Sequence, residues 1–359
     1  MGKFSRKIRA GSEVLAGWME TPLTRKRHHQ PHVYNAVHGV TMAAAVGWTT
    51  YALTATMGAL ALPFYLVTAA TSFAAFRQRC RNLARRARPL ARADVTTQQV
   101  VSMVLPLAEN VGHSFARQTG MNCTMGFLET GGLCHFIGVD RQRYIIIAPD
   151  NTVRHHKWCV DQHGQRKGSE AFVKSFAAIM AHERAHSRMP KWRLFCDYGS
   201  MAIASLLAPV TAMASAVAGF VPMPEGPACA WALFGSVSAF LCGKMANRAE
   251  ELRADREGVE FGGKSRHITT AFSSSRPSVA AVVFGLCFNH PSANQRIAAA
   301  RACSRQLTPA EKAAGEQRLN RIVADVLPHH QHLFQKKTGD GGDDLALHLV
   351  RRIAVYKQQ

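Results

Sequence analysis

The run His182-Glu183-Arg184-Ala185-His186 sets two imidazoles four residues apart, the spacing at which helical side chains project from one face, a turn apart. Two such rings can reach one zinc ion. Glu183, one residue along, is then placed to take the proton of a water that the metal has made acidic, with a pKa near about 7. A catalytic zinc takes three protein ligands and keeps one position open, so the histidine pair needs a third partner. The run Glu250-Glu251-Leu252-Arg253-Ala254-Asp255 offers Glu251, with Asp255 four residues on and on the same face. Alone, that run reads as a solvated charged face. Joined to the histidine pair it becomes a ligand site, because an apolar hairpin between two helices returns both helix ends to one membrane face.

Around these residues the pattern predicts the elements that must carry them. Ser169 can cap a helix whose apolar positions Phe172, Val173, Phe176, Ile179 and Met180 follow helical spacing, and Pro190 ends it. Upstream, 95–116 reads as a helix, and 133–139 and 143–149 read as two strands around the turn residues Asp140, Arg141 and Gln142. Beyond Phe261 the chain reads as mostly helical, with Thr308-Pro309-Ala310-Glu311 as a helix start and 339–344 as a flexible loop. The tail histidines His329, His330 and His332 read as part of a solvated loop.

Two stretches are apolar enough to suggest a bilayer. From 39 to 76 there is no charged residue, 38 positions against the roughly 20 that one spanning helix needs, so the run is read as two spans that turn near Met57 and Gly58. Pro63 then sits inside the second span, where neighbouring helices can tolerate it. The competing reading is a buried, Ala-rich hairpin of a soluble protein. A second pair covers 199–221 and 228–243, broken by the turn-forming run from Pro222 to Pro227. Trp231 suits one interface, and Lys244 can snorkel toward the other.

With 44 Lys+Arg against 23 Asp+Glu the chain carries +21, and the placement of that charge decides its meaning. Seven basic residues precede position 28, and Arg77, Arg79, Arg81, Arg85, Arg86, Arg88 and Arg92 come after the first apolar run. Basic residues beside span ends obey the positive-inside bias and put both hairpin openings in the cytoplasm. A nucleic-acid binder would instead gather its charge on a compact domain with groove-reading or aromatic elements. The nine cysteines stand singly, with no C-x-x-C pair, so free thiols are expected rather than a disulfide framework or a zinc ribbon. His156 and Cys159, three apart, have no second pair and are set aside as metal ligands. The basic N-terminus lacks the short apolar core and cleavage site of a secretory signal.

Three motifs in order, His182-Glu183-x-x-His186, Glu251-x-x-Ala254-Asp255, and His290-Pro291-Ser292 with Arg296-Ile297 after it, resemble the HtpX and CAAX-prenyl-protease group of integral-membrane zinc metallopeptidases, of the HExxH gluzincin type. The resemblance covers roughly 95–300. It implies a mainly α fold with a small β-sheet, a zincin-like metallopeptidase domain with two transmembrane helical hairpins. It further implies that His182, His186 and Glu251 hold one zinc per chain, that Asp255 supports the site by pairing with Arg296, and that His290 approaches the reacting carbonyl. Glu183 and His290 are thus the expected catalytic residues. The sequence departs from the family ahead of the catalytic helix, where an Asn-Ala-Phe-Ala-like stretch gives way to 133–150 with its unusual Cys134-His135 start.

The resulting organisation is a basic cytoplasmic arm (1–38), a transmembrane hairpin (39–76), a basic linker and first part of the peptidase domain (77–198), a second hairpin (199–243), the second part of that domain (244–304) and a helical tail (305–359). The expected activity is a membrane-anchored zinc endopeptidase in quality control of membrane proteins, multi-pass in the inner membrane, its site on the cytoplasmic side. Protein or peptide substrates are expected to add as a strand at an exposed edge such as 143–149, with the lipid bilayer as the other partner and no specific nucleic acid. The alternatives are a CAAX-type or OMA-type processing protease, or a catalytically idle membrane adaptor.

Overall fold

A computed structural model of the protein describes residues 31–90, 104–130, 132–139, 142–189, 195, 200, 202–203, 226–274, 291 and 293–333. It divides into two compact units, one formed by Met1–Arg79, Arg188–Arg253 and Pro277–Gln295, the other by Cys80–Ser187, Ala254–Arg276 and Arg296–Gln359.

In the first unit, α1 (Pro31–Met57) and α2 (Ala61–Arg86) flank a short 3-10 turn, Gly58–Leu60. Gly58 takes φ 55, a conformation that costs glycine little, and the helical path breaks there. The break falls at the position where the sequence places a turn. Gly58–Arg86 is the one described segment long and apolar enough to cross a membrane, and its last turns carry the arginines. The second apolar pair is less visible, because most of 199–225 lies outside the described residues. Its second member does not end before the Glu251 helix as expected. A single helix, α6 (Gly226–Gly262), runs without interruption through both.

The second unit is built on a three-stranded sheet of order β1-β3-β2, with β1 (Thr124–Phe127), β2 (Cys134–Val139) and β3 (Gln142–Ile147). β2 and β3 form the antiparallel pair read around the turn residues, with Gln142 already in β3, and β1 joins β3 in parallel. The four-residue β1 is too short for its period-2 pattern to stand out in the sequence. Because β3 is the central strand, its hydrogen bonds are used on both sides. The expectation that 143–149 offers an exposed edge is therefore corrected, and β2 holds the outer position on that side.

Helices α3 (Val104–Gln118) and α5 (Gln165–Ser187) pack against this sheet, and α4 (Pro149–His163) packs against both of these helices. Ser169 does not cap α5. It lies in its second turn, buried, and its Oγ sits 2.9 Å from Nε2 of His156 on α4. His155 Nε2 similarly lies 2.6 Å from Ser175 Oγ. Burial pushes His155 down to about 3 and His156 to about 4, so both rings are neutral at pH 7 and serve as polar ties between helices. α5 is buried on nearly every side, and Phe172 and Phe176, fully enclosed, contribute about 2 kcal/mol each by leaving water.

The unit is completed by the end of α6, α7 (Ser265–Ser274), α8 (Ala293–Gln306) and α9 (Pro309–Val326). Thr308 caps α9 in a reciprocal capping box with Glu311, the start signal read from the sequence. This helix packs inward: Leu319 and Ile322 are fully buried in the main core, and Arg318 donates to the terminal carbonyls of α6 at Glu260 and Phe261. The tail histidines fall in a 3-10 segment, Leu327–Leu333, where His330 is buried and its Nε2 lies 2.9 Å from Asn110 Nδ2. His330 is therefore part of the core, not of a solvated loop. The 339–344 segment lies outside the described residues.

Candidate metal centre

His182 and His186 stand one turn apart near the end of α5, their Nε2 atoms 3.1 Å from each other. Asp255 comes from the last turns of α6. These two helices can approach because residue 258 is glycine: a Cβ there would lie 2.9 Å from the Ala178 carbonyl oxygen on α5 and 2.6 Å from Ile268 Cδ1. One turn from that crossing, His182 Nδ1 lies 2.9 Å from Asp255 Oδ1. A carboxylate at that distance favours a proton on Nδ1, the tautomer that leaves Nε2 as a lone-pair donor.

Asp255 is only 1% exposed and would be costly to bury as an anion without partners. Arg296 on α8 supplies them, donating from Nη2 to Oδ1 at 2.5 Å and from Nε to Oδ2 at 2.8 Å. Its guanidinium is held flat over Phe272, 4.0 Å from the ring centre. Burial works to raise the Asp255 carboxyl, but the Arg296 charge and hydrogen bonds, with His182, outweigh it and hold the group below the ordinary carboxylate range.

Glu251 stands one turn before Asp255 on the same unbroken helix and is buried. His182, His186 and Glu251 each bring one ligand atom within 4.8 Å of the others. Two imidazole nitrogens and one carboxylate, with one imidazole held from behind by a buried carboxylate, are a donor set that suits zinc and leaves a position open. Glu183, beside the pair, is partly exposed, with Oε1 3.9 Å from His182 Nε2. Burial acts to raise its carboxyl, while His135 and the two site histidines lower it by a larger margin.

Of the residues singled out from the sequence, the structure brings His182, Glu183, His186, Glu251, Asp255 and Arg296 to one place. His290 lies outside the described residues. The sequence missed the approach of His135 to Glu183; the departure at Cys134-His135 was its signal, but only the strand pairing shows where the ring falls.

Two histidines and a glutamate presented by a helix pair, with a glutamate one residue after the first histidine, form the arrangement that zincin-type peptidases use. Residues 173–304 match the sequence profile of Peptidase family M48, and the matched stretch includes His182, Glu183, His186, Glu251, Asp255 and Arg296. No curated protein and no solved structure matches the chain.

Proposed function

We propose that this protein is a membrane-anchored zinc endopeptidase acting on membrane proteins, with His182, His186 and Glu251 as metal ligands and Glu183 as general base. The observation that carries the reading is the grouping of those three ligand atoms beside Glu183, with His182 oriented by Asp255. Zinc, when bound, supplies Lewis acidity toward a water and a scissile carbonyl. Glu183 takes the proton of the attacking water and passes it to the leaving amine. His290 helps stabilise the oxyanion, and Arg296 and Asp255 keep His182 in its tautomer. No covalent intermediate is needed. The substrate chain adds to β2, the terminal strand nearest Glu183, through main-chain hydrogen bonds that accept many sequences.

The membrane part of the reading is supported by the apolar run within Gly58–Arg86, of which only 17% is buried. A soluble core helix of that composition would be enclosed. The basic end of this segment favours the cytoplasm for the chain beyond it, and together with the two hairpins read from the sequence it supports a multi-pass inner-membrane enzyme with a cytoplasmic site. Removal of misfolded membrane proteins fits this placement better than prenylated-protein processing, whose enzymes enclose their site with more spans.

The test is peptide cleavage by detergent-purified protein. Wild type should cleave an unfolded protein substrate, and Glu183→Gln should abolish cleavage while keeping fold and metal, since it removes the base and keeps the shape. Near-normal cleavage by that variant overturns the mechanism, and no cleavage by zinc-loaded wild type favours an idle adaptor. Labelling of a single cysteine at the exposed Lys167, in a background without the native thiols, by an impermeant reagent in intact cells would place the site on the opposite face.

A further inference from the structure

The two oxygens of Glu183 have neighbours of different kinds. Oε1 lies 3.9 Å from Nε2 of His182, where the ligand nitrogens converge. Oε2 lies 3.7 Å from Nδ1 of His135, which belongs to β2 and not to the helix that carries the histidine pair. Strand register holds it there: His135 sits opposite Ile146, between pairs that include the fully buried Ile145 and Ile147. A slip of one residue would turn the ring to the other face of the sheet. Gly132 leaves room beside it, since a Cβ at that position would lie 3.1 Å from the ring's Cε1 and 3.4 Å from Nε2.

His155 and His156 show what a structural histidine looks like in this fold. Both are sealed from water, neutral, and bonded to a buried serine hydroxyl. His135 differs: its side chain is 36% exposed, and the charged group it faces, Glu183, is 21% exposed. A tie between core helices would not be built at the solvent side of a catalytic carboxylate. The geometry points to His135 as a positioning residue for peptide hydrolysis, holding the far oxygen of Glu183 so that the near oxygen faces the His182 and His186 pair. This assignment rests on the peptidase reading above. The present separation exceeds a direct hydrogen bond, and such contacts often tighten only when substrate is bound. Because a misplacement of about 1 Å at a reacting group can cost about a hundredfold in rate, a second anchor on a flexible glutamate has a kinetic effect.

The experiment compares wild type, His135→Leu, His135→Asn and Glu183→Gln in zinc-loaded full-length protein, with kcat and KM on a fluorogenic peptide, zinc content, and thermal unfolding. His135→Leu should lower kcat by about ten- to a hundredfold, the range seen when an outer partner of an active group is lost, with KM within about twofold and zinc content unchanged. His135→Asn, whose side-chain amide nitrogen stands near the place of Nδ1, should recover most of the loss. In zinc-free protein the 15N shifts of His135 should report a proton on Nδ1 and should change in Glu183→Gln. Wild-type kcat in His135→Leu, a loss confined to KM or to zinc content, no recovery by asparagine, or 15N shifts indifferent to Glu183→Gln would each overturn the assignment. Failure of the peptidase reading looks different: inactive wild type, or Glu183→Gln as active as wild type, removes that reading and this inference with it.

Discussion

The two units use the same apolar alphabet in opposite ways. In the second unit the large side chains point inward: Phe115, Phe172, Phe176, Leu105, Ile145 and Ile147 are fully buried. In the first unit many inward positions go to small residues such as Ala45, Ala52, Ala232 and Ala239, beside a few large ones such as Leu53 and Tyr65, while Leu62, Phe64, Leu66, Val67, Phe234 and Val237 stand exposed. Gly235 illustrates the inner arrangement, since a Cβ there would meet Ala52 Cβ at 3.1 Å and the Trp48 carbonyl at 3.2 Å. Small residues where helix backbones approach, and large apolar ones outside, is how helices pack in lipid, where burying leucine brings no hydrophobic gain. The second unit obeys the logic of water, and its buried histidines find hydroxyl or carboxylate partners. The contrast supports the proposal that the first unit is anchored in a bilayer while the second carries a water-facing core.

The largest effect that tests this contrast is Phe176→Ala. It removes an enclosed ring from the core of the second unit and should cost about 3 to 5 kcal/mol in denaturant unfolding, whereas Leu62→Ala in the first unit should stay within about 0.5 kcal/mol. Equal losses would mean that Leu62 is packed as Phe176 is. Next is Leu66→Asp, which in a bilayer carries a penalty of about 3 kcal/mol and should shift the protein from the carbonate-resistant membrane fraction toward the soluble one. An unchanged partition would put α2 in water.

A smaller effect concerns acid. Asp255 in the folded state lies below its ordinary value of 3.8, so its contribution to stability is fully present above that pH and is lost as pH falls through the folded value. The urea midpoint of wild type should therefore drop more steeply below about pH 4 than that of Asp255→Asn. Parallel acid profiles for the two proteins would show that Asp255 titrates as an ordinary surface carboxylate.

Local rules made several of these elements legible before any coordinates. The i,i+4 spacing of His182 and His186, the capping box at Thr308 and the two strands around the turn residues 140–142 each involve contacts within a few residues. What escaped the sequence depends on partners far along the chain. Strand order could not be read, because the parallel pairing of β1 with β3 is a nonlocal choice that makes 143–147 central. Ser169 looks like a helix cap until the helix is seen to begin at Gln165 and its hydroxyl to face His156. The continuity of α6 was hidden because the switch from apolar to charged residues near Lys244 resembles an element boundary, although a helix can run through both. His135 was visible only as an anomaly of type, and its proximity to Glu183 needed the sheet.

The central claim is that His182, His186 and Glu251 hold one metal ion, and metal analysis of detergent-purified protein tests it most directly. Wild type and Glu183→Gln should each carry about one zinc per chain, while His186→Ala and Glu251→Ala should lose it. Full zinc content in both of the last two variants would contradict the ligand assignment.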